Sequence, residues 1–257
     1  MWEKEIAVAR QAAEAAGRVL SRFFGQVTHI VKKGDIDIVT EADLHAEKTI
    51  LEILHQNFPQ DTILSEEAGK HEQVSGRTWL IDPLDGTTNF AHGCPFFATS
   101  IALELEKDIV LGVVFNPQMN EYFEAAKGMG AYLNKMPIST SEISNLKESL
   151  LATGFAYDVH QNAQTALALF SKMLVRAQGV RRPGSAAIDL CYVAAGRFDG
   201  FWEVGLKPWD TAAGAIIVNE AGGKVTTIDG GAYSPYIKSI LAANPFIYDH
   251  MRKVLNE

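Results

Sequence analysis

The chain has 257 residues, 47% of them hydrophobic and 21% charged, a composition that excludes collagen-like, disordered and coiled-coil proteins. Its 31 acidic and 23 basic side chains give a net charge of -8, which makes direct binding of nucleic acid a poor expectation. The two cysteines, Cys94 and Cys191, are too few for a disulfide framework, and their apolar surroundings predict buried thiols. The sequence has neither a signal-peptide pattern nor an apolar span, so we expect a cytoplasmic protein without a membrane segment.

The first half of the chain predicts two helices followed by strands. Apolar residues recur at helical spacing over residues 3–24 and 44–58. Short apolar runs at 62–64 and 78–81 then end in acidic residues, as buried strands do when their carboxyl ends open onto a site. Residues 96–133 alternate strand-like runs with turns, which indicates a β-meander.

The second half mixes helical and strand-like segments, which predicts a layered α/β fold. The segments, in order, are a strand at 150–153, helices at 163–175 and 185–195, a strand at 199–203 and a helix at 211–221. Since no repeat or flexible linker interrupts the sequence, we expect one domain over 1–257. A change of character near 139–148 leaves open a division into sub-domains at 1–140 and 141–257.

The most informative segment is an apolar strand that runs into Asp82-Pro-Leu-Asp-Gly-Thr-Thr-Asn89. Burying two like charges costs several kcal/mol per ion, so carboxylates at Asp82 and Asp85 need water, cations or a shared metal. Pro83 and Gly86 favour a tight curl of the chain that would turn both carboxylates and the Leu84 carbonyl inward. Such oxygen donors prefer Mg²⁺ or Mn²⁺ to zinc.

Other residues extend this site. The turn that starts at Gly86 offers free amides and hydroxyls that can receive a phosphate oxygen. Glu66 closes a predicted strand, and Asp210 opens a predicted helix. On their own, Glu66 is typical of a solvated surface residue and Asp210 of a helix cap. At one edge of an α/β sheet, however, both could join the aspartates around a metal.

These motifs resemble the inositol monophosphatases, a family of Mg²⁺-dependent, lithium-sensitive sugar phosphatases. The resemblance rests on two long motifs, Asp82–Asn89 and Trp209-Asp-Thr-Ala-Ala-Gly214. It is supported by Asp37-Ile-Val-Thr-Glu-Ala-Asp43, by Ser65-Glu-Glu67, and by the stretch 184–196 that leads to Glu203. It implies a layered αβαβα fold and a homodimer.

The resemblance also implies metal ligands and catalytic residues. Glu66, Asp82 and the Leu84 carbonyl would hold a first Mg²⁺, and Asp82, Asp85 and Asp210 a second. The site would use two or three Mg²⁺ ions, with Mn²⁺ as the alternative metal. Glu66 would be catalytic together with Asp43 and Thr87, which would assist deprotonation of the attacking water.

The substrate residues follow from the same resemblance. Amides of Gly86 and Thr87 would hold the phosphate, and Glu203 would bind substrate hydroxyls. The segment Gly184, Ser185 and Ala186 would line the polyol pocket. Lys32 would belong to a mobile loop that closes the site, although the surrounding stretch, Lys33-Gly-Asp35, varies in the family.

The expected reaction is hydrolysis of a small polyol or sugar phosphate, foremost myo-inositol 1-phosphate, by an activated water. Fructose 1,6-bisphosphate is an alternative substrate, and protein binding in RNA metabolism is an alternative role. A phosphoaspartyl mechanism of the haloacid-dehalogenase type is disfavoured, because its nucleophile position two residues before Asp85 is Pro83. Arg181 and Arg182, the only arginine pair, could serve a subunit interface or the substrate's phosphate.

Overall fold

The computed structural model describes residues 2–26, 30–32, 34 and 38–257, apart from the side chain of Asn162. The helices are α1 (Glu3–Phe23), α2 (Glu41–Asn57), α3 (Thr87–Ala91), α4 (Val159–Leu174), α5 (Ala186–Ala194), α6 (Pro208–Glu220) and α7 (Tyr248–Leu255). Among the described residues, no helix is both long and apolar enough to span a bilayer.

The strands form three sheets. They are β1 (Ile30–Lys32), β2 (Ile38–Thr40), β3 (Thr62–Ser65), β4 (Gly69–His71), β5 (Arg77–Asp85), β6 (Ala98–Leu105), β7 (Asp108–Asn116), β8 (Glu121–Ala126), β9 (Ala131–Leu133), β10 (Met136–Pro137), β11 (Leu150–Thr153), β12 (Gly179–Arg181), β13 (Gly200–Val204), β14 (Lys224–Thr226) and β15 (Ser239–Ala243). The large sheet has the order β10-β9-β8-β7-β6-β5-β3-β4, and the smaller one β12-β11-β13-β15-β14. β1 and β2 pair with each other.

The two larger sheets and the helices stack in five layers. α1 and α2 cover the outer face of the large sheet, with a core of small and aliphatic side chains. α5 and α6 lie between the two sheets and share one core with both of them. α4 and α7 cover the far side of the smaller sheet. The predicted αβαβα layering is therefore confirmed.

Small residues allow the middle layers to pack closely. A Cβ atom added at Gly112 on β7 would lie 2.5 Å from the carbonyl oxygen of Ala213 on α6. One added at Gly214 would lie 2.5 Å from the Cβ of Leu190 on α5. These contacts fix α6, and with it Asp210, against the large sheet.

Most predicted elements are present, with shifted ends. α2 begins at Glu41 because the backbone and side chain of Thr40 bond to the Asp43 carboxylate at its start. α4 begins at Val159, four residues before the predicted start. The expectation that both cysteines are buried is wrong for Cys94, which is exposed, and right for Cys191. Residues 33 and 35–37, which carry part of two quoted motifs, lie outside the described residues.

Candidate active site

One cavity of 330 Å³ lies where the carboxyl ends of the parallel neighbours β3 and β5 meet the starts of α5 and α6. Its wall draws on both halves of the chain. The residues that form it are Glu66, Asp82, Leu84, Asp85, Gly86, Thr88, Gly154, Phe155, Ala156, Tyr157, Arg182, Gly184, Ser185, Ala186, Asp189, Glu203, Gly205, Leu206, Lys207, Trp209 and Asp210. The residues predicted to bind metal thus line the same cavity.

The part of the cavity wall that we call the acidic wall consists of Glu66, Asp82, Asp85 and Asp210, and two of these residues lie at the end of β5. The pairing of β5 with β6 is irregular between Asp82 and Asp85, and the Leu84 amide donates to Asp82 Oδ1 at 2.9 Å. The chain therefore curls here, as the proline and glycine predict. Burial raises the pKa of Asp82 well above its usual value, and the nearby charges of Glu66, Asp85 and Asp210 raise it further.

Two of these acids are already held by protein donors. Asp85 Oδ2 accepts from the Ser185 hydroxyl at 2.6 Å and from the Ala187 amide at 2.7 Å. Asp210 Oδ2 accepts from the Lys207 amide at 2.7 Å. In the described part of the chain, no three His, Cys, Asp or Glu side chains form a ready-made metal cluster. Because Asp85 Oδ2 already accepts two hydrogen bonds, a cation would use the other oxygen of Asp85 or displace these donors.

The donor chemistry of this wall fits a hard divalent cation. The wall contains four carboxylates and Leu84, and two cationic side chains, Arg182 and Lys207, line the same cavity. Burial and mutual repulsion raise the pKa of the buried aspartates, a cost that a bound cation would offset. Oxygen ligands without imidazole or thiolate are those that Mg²⁺ and Mn²⁺ prefer.

A helix start lies beside the acidic wall. Gly86 has φ of +97° and precedes α3; a Cβ there would lie 3.0 Å from the Phe96 carbonyl oxygen, so only glycine fits. The Asn89 amide group holds this turn by donating to the Phe96 and Pro183 carbonyls at 2.7 and 2.9 Å. The first-turn amides of a helix lack partners within it, so this turn can receive a phosphate oxygen.

Asp43 and Thr87 lie behind the cavity wall and contact each other. The Thr87 hydroxyl is 3.1 Å from Asp43 Oδ1 and 3.0 Å from the Leu84 carbonyl oxygen. Asp43 Oδ2 accepts from the backbone and the hydroxyl of Thr40 at 2.8 and 2.6 Å. Burial raises the pKa of Asp43 to about 6 against these hydrogen bonds, which lower it. The sequence resemblance paired these two residues, and the structure brings them together.

A second part of the cavity wall is suited to hydroxyl groups. Glu203 on β13 is buried, and a Cβ atom added at Gly154 would clash with its carboxyl group, so the carboxyl packs directly on that glycine. Burial raises the pKa of Glu203 to about 8. The same cavity is lined by Gly184, Ser185 and Ala186, at the start of α5.

One predicted residue lies apart, and several were missed. Lys32 is exposed on β1 and is not among the residues that form the cavity. The sequence motifs assigned no role to the loop from Phe155 to Tyr157, to Lys207 or to Asp189, all of which line the cavity. Asp189 had a signal in the sequence, since it is the one charged residue in the apolar run of α5.

Comparison with known proteins agrees with the fold and the motifs. Residues 1–257 match the model of the inositol monophosphatase family. The inositol-1-monophosphatase of Synechocystis is 46% identical over 250 residues, which cover 96% of this chain and 87% of that protein. The Nus factor SuhB of Escherichia coli K12 is 41% identical over 247 residues, covering 95% of this chain and 92% of that protein.

Solved structures superpose closely on the chain. The extragenic suppressor protein SuhB of Bartonella henselae has a TM-score of 0.96 and 41% identity, with 99% of both chains covered. The inositol monophosphatase of Anabaena has a TM-score of 0.91 and 43% identity, covering 99% of this chain and 96% of that one. The matched family is metal-dependent. The chain therefore belongs to the inositol monophosphatase family and is a phosphoric monoester hydrolase.

Proposed function

We propose that the chain hydrolyses the phosphate monoester of a small polyol, foremost myo-inositol 1-phosphate, with Mg²⁺ as its cofactor. The observation that carries this proposal is the cavity itself, which is lined by four carboxylates of the acidic wall, by Gly86 at the start of α3 and by the buried carboxyl of Glu203. Relatives named inositol-1-monophosphatase support the choice of substrate.

The acidic wall would hold the metal. Glu66, Asp82 and the Leu84 carbonyl would bind one ion, and Asp82, Asp85 and Asp210 another, so that Asp82 is shared. When bound, divalent cations at these oxygens would lower the pKa of the attacking water and neutralise charge on the leaving oxygen. No side-chain nucleophile is then required, which leaves the carboxylates as ligands.

The water would be oriented by Thr87. Its single proton points to Asp43 Oδ1 or to the Leu84 carbonyl, which leaves its oxygen free to accept a hydrogen bond from water. Asp43 fixes this arrangement because its other oxygen is bound to Thr40. Glu66, which follows β3, would complete the catalytic set on the side of the acidic wall.

The substrate would bind in the cavity, with its phosphate beside the acidic wall and its alcohol part near Glu203. Amides of Gly86 and Thr87 would receive the phosphate, while Glu203 accepts hydrogen bonds from substrate hydroxyls across the cavity. The start of α5 would contact the alcohol part of the substrate. Lys32 keeps its proposed role in a closing loop, which would have to bring it toward the cavity.

A substrate panel tests the proposal. Phosphate release is measured with Mg²⁺ from inositol 1-phosphate, fructose 1,6-bisphosphate, histidinol phosphate and 3′-phosphoadenosine 5′-phosphate. We expect the highest kcat/KM for inositol 1-phosphate. A higher kcat/KM for fructose 1,6-bisphosphate would make that compound the assigned substrate and leave the proposed mechanism unchanged. Absence of phosphate release from every compound would contradict the proposal.

A protein-binding role is the second candidate. It is supported by the relatives named Nus factor SuhB, which match along almost the whole chain. The net charge of -8 favours a protein partner over RNA itself. A homodimer, a cytoplasmic location and replacement of Mg²⁺ by Mn²⁺ complete the proposal, and light scattering of the purified protein tests the dimer.

A further inference from the structure

Asp189 is a buried acid whose charge the mechanism does not use. It lies in the first half of α5, where its side chain is 1% exposed and all nine residues of the helix are buried. Its Oδ1 atom has no hydrogen-bond partner among the described residues. Leaving a buried carboxyl oxygen without a partner is costly, so its retention calls for a partner that the folded chain alone does not supply.

The ordinary structural explanations for a buried acid do not fit this one. Helix α5 is capped by Ser185, whose hydroxyl oxygen accepts from the Ile188 amide at 3.4 Å, so Asp189 is not its cap. Among the described residues no ion pair includes Asp189, although Arg182 contributes a nearby positive charge. The contrast is Asp199, also buried, whose two oxygens accept from Ser141 and from the Leu150 amide.

The position of Asp189 points to a ligand. It forms part of the wall of the 330 Å³ cavity together with Glu203 and the segment before α5. Burial raises the pKa of Asp189 well above its usual value, and the charge of Glu203 adds to that rise. Two carboxyl groups, Asp189 and Glu203, therefore line the same cavity and influence each other's charge.

We infer that Asp189 is a second hydroxyl-binding residue, whose carboxyl group accepts a hydrogen bond from the alcohol part of the substrate. This inference rests on the proposed function. Two carboxyl groups in the wall of one cavity suit an alcohol with two or more hydroxyl groups, and they give no advantage to a phosphate ester whose alcohol part has none. Asp189 thus contributes to selection of polyol phosphates over other monoesters.

The test compares two substrates in one protein. KM is measured with Mg²⁺ for inositol 1-phosphate and for p-nitrophenyl phosphate, whose alcohol part carries no further hydroxyl. The KM ratio is the KM for inositol 1-phosphate divided by the KM for p-nitrophenyl phosphate. We expect Asp189→Ala to raise this ratio about tenfold, which is the usual effect of losing a hydrogen bond to a charged or strongly polar group. Asp189→Asn keeps an acceptor oxygen and should raise the ratio by only about threefold.

Two further measurements separate binding from structure. Cys191→Ala is the matched control, because Cys191 is buried on the same helix and is not part of the cavity wall; it should leave the KM ratio at the wild-type value. The Tm of the substrate-free Asp189→Asn protein should equal or exceed that of the wild type, since the change removes a buried carboxyl without a full set of partners. A structural role predicts a lower Tm instead.

The outcomes distinguish failure of this inference from failure of the proposed function on which it rests. If the wild type hydrolyses inositol 1-phosphate and neither Asp189 variant changes the KM ratio, the inference is overturned and the proposed function stands. If the wild type hydrolyses p-nitrophenyl phosphate but not inositol 1-phosphate, the polyol substrate and this inference fall together.

Discussion

Thr87 connects the acidic wall to the residues behind it through one hydroxyl. We expect Thr87→Val, which keeps the shape and removes the hydroxyl, to lower kcat about a hundredfold with little change in KM, because orientation of the attacking water is lost. Steady-state kinetics with inositol 1-phosphate measure both. The matched control is Thr99→Val: Thr99 is equally buried and its hydroxyl donates to the Pro83 carbonyl at 3.0 Å, so its loss should cost stability and leave kcat within a few-fold. Equal kcat in both variants would remove Thr87 from the mechanism.

Glu203 makes stability depend on pH. Burial raises the pKa of Glu203 from its ordinary value of 4.5 to about 8 in the folded protein, so the folded state holds the proton more tightly than the unfolded state does. The contribution of Glu203 to the free energy of unfolding is fully present below pH 4.5. It is lost as the pH rises through about 8, and the loss is at most about 5 kcal/mol. We therefore expect the Tm of Glu203→Gln, relative to the Tm of the wild type, to increase between pH 5 and pH 9.

A control variant makes this prediction specific. Glu52→Gln changes an exposed glutamate on α2, and its Tm should track the wild type across the same pH range. A constant difference between Glu203→Gln and wild type would show that Glu203 is ionised throughout, and that burial does not govern this carboxyl.

At the level of single residues, sequence motifs find the acids but not their partners. The resemblance named Asp85 as a ligand, yet its contact with Ser185 joins positions 100 residues apart, which no local pattern reports. Asp189 stands out in the sequence as a charge in an apolar run, but that pattern does not show which residues surround it. Its surroundings are set by how α5 packs between the sheets, while its neighbours in sequence are apolar.

Among the secondary-structure elements, the contact between β7 and α6 positions Asp210. We expect Gly112→Ala to lower the free energy of unfolding by about 2–3 kcal/mol, because the new methyl group meets backbone atoms of Ala213 that cannot give way. Urea unfolding measures this loss. Displacement of α6 should also reduce kcat/KM, since Asp210 lies in the first turn of that helix.

Gly179→Ala is the control for this packing argument. Gly179 also lies in a strand, but an added Cβ would meet the Arg181 Nη1 atom at 3.2 Å and the Leu150 Cδ1 atom at 3.4 Å, both on side chains. The expected change is within about 0.5 kcal/mol. Similar losses in both variants would mean that strand propensity, not the approach of α6, sets the cost.

Long periodic elements could be predicted from sequence, and short edge elements could not. α1 shows clear helical spacing. The meander from β6 to β9 consists of strands separated by turns, as the sequence predicts. β4 and β12 have three residues each and lie at sheet edges, so pairing with a neighbour forms them rather than local propensity. The start of α4 was placed too late because the first turn of the helix, residues 159–162, is mostly polar and carries no apolar periodicity.

On the scale of the whole molecule, the two halves of the chain share one core. The cluster around α5 and α6 contains residues of both large sheets, such as Leu80 and Val114 from one and Phe201 and Ala242 from the other. We therefore predict one cooperative unfolding transition over 1–257, seen as coincident urea curves by fluorescence and circular dichroism. Separate transitions would instead support units at 1–140 and 141–257.

The central claim is that acids distant in sequence bind divalent cations beside a phosphate-binding turn. Anomalous diffraction from crystals soaked in Mn²⁺ tests it most directly, with Asp82→Asn crystals as the control. The account predicts at least two Mn²⁺ peaks at the wall formed by Glu66, Asp82, Asp85 and Asp210, and the loss of one or both in the variant. Peaks only elsewhere, or none at this wall, would contradict it.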